Sequence, residues 1–163
     1  RQRGEVSDML LSTQIYIIHG NQWLMLLRNK KKKDVNRNKW IAVGGKKEPG
    51  ETIEEFAVRE AFEETGLQCE QLEYQGLVHF EYQDNEPEDI YVYTCSQYHG
   101  SLHETEEGTL RWIDENELMN LELWEGDRIF LKKMLDHTGE PFEITLQYDG
   151  QGTLLNVREE RDN

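Results

Sequence analysis

One stretch of this chain has a rhythm that nothing around it shares. From Thr52 to Thr65 there is neither glycine nor proline, and Glu, Ala, Arg and Phe dominate. Thr52 is placed to cap the start with Glu55 three residues on, and Gly66 follows as a stop. The spacing predicts a helix. It constrains the fold because most other apolar runs read as strands. "MLLSTQIYII" and "WLMLLRN" read as a hairpin turning over His19 to Gln22, and "WIAV" as a third short strand ended by Gly44 and Gly45. "LEYQGLVHFEYQ" and "DIYVYTCSQY" flank the turn residues Asp84 to Glu88 as a long antiparallel pair, and "TLRWID" is another strand. "ENELMN" and "GDRIFLKKMLDH" read as helical, the second with Ile129, Phe130 and Met134 at helix spacing, and "PFEITLQYD" with "TLLNVRE" closes as a hairpin around Gly150 and Gly152. Strands with a few interspersed helices give an α/β class of the α+β kind, stacked as a sandwich. No repeat, linker or compositional break divides the chain, so residues 1–163 read as a single domain able to bury its own core. Residues 1–8, ahead of Met9, read as a flexible or added start or as an ordered part of a longer one.

On a helical wheel Glu60, Glu63 and Glu64 share an arc of roughly 100°, while Val58, Ala61 and Phe62 point away toward a core. Like charges three and four apart are unfavourable by a few tenths of a kcal/mol, and by more where the face is partly buried. Glutamate is also a good helix former, and paired glutamates are common on solvated faces, so the triplet alone leaves both readings open. The flanks narrow the choice. Gly44 and Gly45 form a compact loop before the helix, "EPGE" turns Glu51 back toward its start, and Arg59 can pair with Glu51 or fix a carboxylate with its planar fork. The cheapest compensation for the acids is a divalent cation, since Mg²⁺ and Mn²⁺ prefer carboxylate oxygens and bridge to phosphates.

Gly45, then Glu51 after five residues, then Arg59-Glu60-Ala61-Phe62-Glu63-Glu64-Thr65-Gly66-Leu67 after seven, resembles the complete Nudix box, with Ala61 smaller than the bulky aliphatic residue usual there. The resemblance implies an α/β/α sandwich with a mixed central sheet. It also implies hydrolysis of a nucleoside diphosphate linked to another group, with Mg²⁺ or Mn²⁺ as cofactor. Carried over by position, Glu60, Glu63, Glu64 and the carbonyl of Gly45 would be metal ligands. Glu63 or Glu64 would orient or deprotonate the attacking water, supported by Arg59 and Glu51. A further acid is expected downstream, Glu107 in "ETEEGTLRW", with Glu104 and Glu106 as competitors. Lys46 and Arg28 look like phosphate contacts.

The late segment "LELWEGDRIFLKKML" resembles the base-binding helix of MutT-like oxidised purine nucleoside triphosphatases. There Trp124 would stack on a purine, Asp127 would hydrogen-bond its edge, Phe130 would line the pocket, and Phe80 would be a further lining residue. Plain core packing is the competing reading for Trp124 and Phe130. One departure stands out: some relatives place a base-reading asparagine after the tryptophan of "KW", whereas Trp40 is followed by Ile41, which makes no such bonds.

With 33 acidic and 18 basic residues and a net charge of -15, the chain repels polyanions, so neither polymeric nucleic acid nor a membrane is an expected partner. Half of those basic residues nevertheless lie between Arg28 and Lys47, as a local phosphate patch or as a solvated loop. There is no apolar run of membrane-spanning length and no signal-peptide core. Cys69 and Cys95 form no CxxC pair and read as small core residues in a reducing compartment, so the expected location is the cytoplasm, as monomer or homodimer. The favoured partner is a nucleoside triphosphate cleaved to monophosphate and pyrophosphate, 8-oxo-dGTP or a related purine dNTP, in nucleotide-pool sanitation. A second reading keeps the box but takes another nucleoside diphosphate derivative: ADP-ribose, a dinucleoside polyphosphate or an RNA 5′ end. A third, a nucleotide sensor without catalysis, predicts loss of a box carboxylate, and all are present.

Overall fold

The computed structural model describes residues 10–137 and 139–160, so the expectation about residues 1–8 lies outside the described residues. The elements in chain order are β1 (Leu10–His19), β2 (Gln22–Leu27), β3 (Trp40–Ile41), α1 (Ile53–Thr65), β4 (Leu67–Tyr82), β5 (Glu88–Gly100), β6 (Thr109–Asp114), a 3₁₀ segment (Glu115–Asn120), α2 (Glu125–Leu135), β7 (Phe142–Tyr148) and β8 (Leu154–Glu159). The sheet is mixed: β1 runs parallel to β5, β5 antiparallel to β4, β4 parallel to β7, and β7 antiparallel to β8.

The predicted first hairpin is only partly right. β1 and β2 pair just beside the turn, at Ile18 with Trp23 and His19 with Gln22. Below that they part, because residues Leu10 to Ile17 take β5 as their partner while β2 pairs along its length with β6 and, at its end, with β3. "WIAV" divides in the same way. Trp40 and Ile41 pair with β2, and Val43 bridges to Ile15 of β1 instead. Gly44 follows with φ +143°, where an added Cβ would sit 2.1 Å from the carbonyl oxygen of Thr13; only glycine fits there. "ENELMN", expected to be helical, closes in the tighter 3₁₀ form.

Alternation along β1 and β2 sorts two cores. Tyr16 and Met25 face one layer with Trp124, Phe130, Leu131 and Tyr148, whereas Ile15, Ile17, Leu24 and Leu26 face the other with Ala57 and Ala61 of α1. Cys69 and Cys95, as expected, are buried, in the second core. The helix cap follows the sequence closely. Thr52 Oγ1 accepts from Glu55 N, the Glu55 carboxylate accepts from Thr52 N, and Gly66 ends the helix in the left-handed region at φ +83°. Phe62 is a correction. It stands 48% exposed, because the face that meets the sheet runs through Ala57, Ala61 and Thr65, four residues apart, and Phe62 is one step round the wheel from it.

Candidate active site

The loop between Val43 and α1 hangs from β1. Thr13 N donates to the Gly45 carbonyl at 2.9 Å and Ile15 N to the Val43 carbonyl at 2.8 Å. That placement lays Gly44 and Gly45 against the acidic face of α1. Gly44 N donates to Glu64 Oε1 at 3.0 Å, and a Cβ on Gly45 would lie 2.9 Å from Glu60 Oε1. Glycine at position 45 thus leaves a gap between backbone and carboxylate that any side chain would fill.

Around these acids one cation does most of the bracing. Arg59 grips Glu51 with both prongs, Nε to Oε2 at 2.8 Å and Nη2 to Oε1 at 2.9 Å, while Nη1 donates to Glu63 at 3.0 Å and reaches Glu60 at 3.5 Å. The two hydrogen bonds to Arg59 hold the Glu51 carboxyl below the usual carboxylate range. Glu60 and Glu64 go the other way. Burial lifts Glu60, helped by the charge of Glu63 and opposed by Arg59. Glu64 is pushed up to about 7 by burial, with the charges of Glu60 and Glu107 adding to it and the Gly44 N–H opposing it. Among the described residues no three acid, histidine or cysteine side chains converge as a ready-made ion cage, since Glu63 is drawn onto Arg59 and Glu64 onto Gly44. The donor set still fits a hard divalent cation: carboxylate oxygens with excess negative charge beside the Gly45 carbonyl, which has a second lone pair besides the one that takes Thr13 N.

Of the three downstream acids, Glu104 and Glu106 are exposed, and Glu107 is the one whose charge acts on Glu64. It is held by the lysine-rich loop. Arg28 Nη2 lies 3.3 Å from Glu107 Oε1 and Lys31 Nζ 3.2 Å from Oε2, while Arg28 Nε donates to Asp34 at 2.9 Å. The loop from Arg28 to Lys39 is therefore pinned rather than freely solvated.

A cavity of about 420 Å³ runs from this loop across the sheet. Its lining includes Gly44, Gly45, Lys46 and Arg28 from the loops after β3 and β2, and Phe80, Trp124, Asp127 and Phe130 from β4 and the start of α2. The sequence thus named residues in both groups. Trp124 is 8% exposed, stands edge-on to Tyr148 at 5.2 Å between centroids, and has Lys39 Nζ 5.3 Å over its ring. Phe130 is 1% exposed and stacks on Phe142 at 5.5 Å, so it serves core and cavity at once. Asp127 is buried at the first turn of α2, and burial pushes its carboxyl up to about 7, with Lys39 opposing. Close packing puts it there: a Cβ on Gly126 would meet Leu146 at 2.4 Å, and Gly126 N donates to the Tyr148 hydroxyl at 2.7 Å.

Thr13, Tyr82 and Asn36 are among the cavity residues that escaped the sequence reading. Thr13 is 2% exposed, and its Oγ1 has no hydrogen-bond partner among the described residues. Tyr82 sits edge-on to Trp124. Asn36 accepts from Trp124 Nε1 at 2.7 Å. A threonine or tyrosine in a strand is an ordinary strand former, and an asparagine among lysines is masked by their charge, so only periodicity carried any signal.

Residues 10–134 match the family profile described as NUDIX domain. The chain is 30% identical over 133 residues to the oxidized purine nucleoside triphosphate hydrolase of Mus musculus, covering 80% of this chain and 83% of that protein. To the protein of the same description from Danio rerio it is 32% identical over 111 residues, or 68% of this chain and 71% of that one. The crystal structure of a MutT protein from Bacillus halodurans superposes with a TM-score of 0.83 at 25% identity, covering 95% of this chain and all of that one.

Proposed function

The chain belongs to the Nudix hydrolase family, and on that premise we propose that it is a Mg²⁺- or Mn²⁺-dependent nucleoside triphosphate pyrophosphohydrolase whose favoured substrate is 8-oxo-dGTP or a related purine dNTP. The observation that carries this reading is one cavity lined both by Trp124 and Asp127 and by Gly44 and Gly45, the loop that lies against Glu64 and Glu60 of the carboxylate helix. A phosphate tail and a purine ring need both sets of residues at once.

Glu60, Glu63, Glu64 and the Gly45 carbonyl, with Glu107 facing Glu64, would hold the ion. Once bound, such an ion neutralises phosphate charge and acidifies water. The remaining work belongs to the side chains. Glu64 takes the proton of the attacking water, with Glu63 orienting that water. Arg59 and Glu51 fix the helix face on which both stand. Arg28 and Lys46 meet the phosphates, Trp124 stacks on the base, Asp127 bonds its edge, and Phe80 and Phe130 close the pocket. The reaction suits nucleotide-pool sanitation in the cytoplasm.

Among the described residues no helix is long and apolar enough to cross a membrane. The test is release of pyrophosphate and phosphate with Mg²⁺ across 8-oxo-dGTP, dGTP, dATP, ADP-ribose and diadenosine tetraphosphate, compared by kcat/KM. A preference of about a hundredfold or more for 8-oxo-dGTP over dGTP, with pyrophosphate as product, is expected. A flat profile, or a preference for ADP-ribose, would overturn the substrate assignment and leave the carboxylate helix with its role.

A further inference from the structure

The lysine-rich loop brings more than charge to the cavity. Asp34 organises its centre: one carboxylate oxygen accepts from Arg28 Nε at 2.9 Å and the other from Asn36 N at 3.0 Å, with the Asp34 side chain only 5% exposed. The Asn36 carbonyl accepts from Lys39 N at 2.9 Å, so the backbone of this residue is held on both sides. Its side chain is committed at one atom only, because Oδ1 accepts from Trp124 Nε1 at 2.7 Å. The amide nitrogen Nδ2 has no protein partner among the described residues, and Asn36 lines the cavity. An amide leaves two donors there.

The same cavity wall has a gap in its chemistry. Ile41 lines it and offers carbon alone, while Asp127 supplies two carboxylate oxygens and no donor when ionised. A carboxylate reads adjacent N–H groups, such as the ring N–H and amino group of a 2-amino-6-oxopurine. The carbonyl next in line on that edge then needs a donor. Resting on the reading of this cavity as a nucleotide site, we propose that Asn36 is the specificity residue that supplies it, donating from Nδ2 to a carbonyl oxygen of an oxopurine while Asp127 takes the neighbouring N–H groups. The bond to Trp124 sets the amide's orientation and the stacking ring's position together. Base reading thereby comes from the loop rather than from position 41.

Asn36→Asp separates this role from a structural one, since it keeps an acceptor for Trp124 Nε1 and removes the donor; Asn36→Ala removes both. Each variant is compared with the unaltered chain by kcat/KM on 8-oxo-dGTP, dGTP and dATP. Binding of the α,β-methylene analogues of dGTP and dATP is measured alongside. The expected result is that both variants lower the ratio of oxopurine to adenine substrate by about tenfold, in turnover and in binding, with thermal unfolding unchanged for Asn36→Asp. A ratio that stays fixed while all substrates fall together makes Asn36 a support for Trp124 and overturns the proposal, as does no change at all. Failure of the unaltered chain to bind or cleave any purine nucleotide would instead overturn the nucleotide reading, and this inference with it.

Discussion

The amide of Gly44 donates to Glu64 Oε1 at 3.0 Å, tying a glycine loop to a half-buried acid of a helix that starts well after it. Glutamine at position 64 keeps an oxygen for that bond and loses the titrating group. Glu64→Gln is therefore expected to fold with an unchanged circular dichroism spectrum and to lose about 10²–10⁴ in kcat. Near-normal turnover would remove Glu64 from the proton transfer.

Arg59 meets Glu51 with both prongs and reaches Glu63 with the third nitrogen, a geometry that lysine has no means to copy. Arg59→Lys should lower kcat by about tenfold to a hundredfold, since misplacing a reacting group by an ångström costs that much. Melting should move by only a few degrees, because lysine keeps the charge and the pair is partly exposed. A large loss of stability with kcat retained would make the clamp a folding device.

Asp127 carries its carboxyl at about 7, well above the ordinary value of 3.8, because it is buried. A carboxyl raised in the folded state favours folding below pH 3.8, and that contribution is lost as pH rises through about 7. At pH 8 the ionised group is a burden, of roughly 2 kcal/mol or more. Asp127→Asn should thus raise the urea midpoint at pH 8, with the gain shrinking as pH falls toward 4, while kcat/KM on purine triphosphates drops. Equal midpoints at pH 8 would contradict the buried ionisation.

His79 on β4 sits between Asp89 of β5 and Glu143 of β7, at 2.7 Å and 2.6 Å. Burial pulls its pKa down, but the hydrogen bonds to Glu143 and Asp89 and their charges outweigh it, so the net shift is upward from 6.5. The protonated imidazole then stabilises the sheet fully below about 6.5, and the contribution is lost as pH rises through the raised folded value. Urea midpoints measured between pH 5.5 and 9 should fall more steeply for the natural chain than for His79→Gln. Parallel curves would show that the bridge contributes nothing.

How much of this could be read beforehand depends on the range of each interaction. The α1 cap was legible to the residue because Thr52, Glu55 and Gly66 act within a single turn of their own helix. The acids were legible because a wheel places Glu60, Glu63 and Glu64 on one face whatever surrounds it. Phe62 was misplaced because the face of α1 that meets the sheet is set by small residues, and a wheel ranks residues by apolarity rather than by how closely two backbones approach. The parting of β1 from β2 had no local trace, since Leu10 to Ile17 look equally able to pair with either neighbour. Asn36 was invisible for a related reason. Its meaning lies in the indole of Trp124, 88 residues further on, while its neighbours in the chain are Val35 and Arg37.

The Gly45 carbonyl takes the N–H of Thr13, and β1 in turn is completed by a strand that begins at Glu88. The acidic helix can wind early, since its cap is local, but the loop beside it has nothing to hang from until a partner far along the chain arrives. The opposite wall waits longer still, for the Tyr148 hydroxyl that seats Gly126. In refolding, helical signal should therefore return before any capacity to hold a nucleotide, and the binding step should share the slow rate of long-range strand pairing. During synthesis the chain would pass through a stage with its whole acidic motif exposed and no cavity beside it, and nucleotide binding would begin only once the last third had emerged.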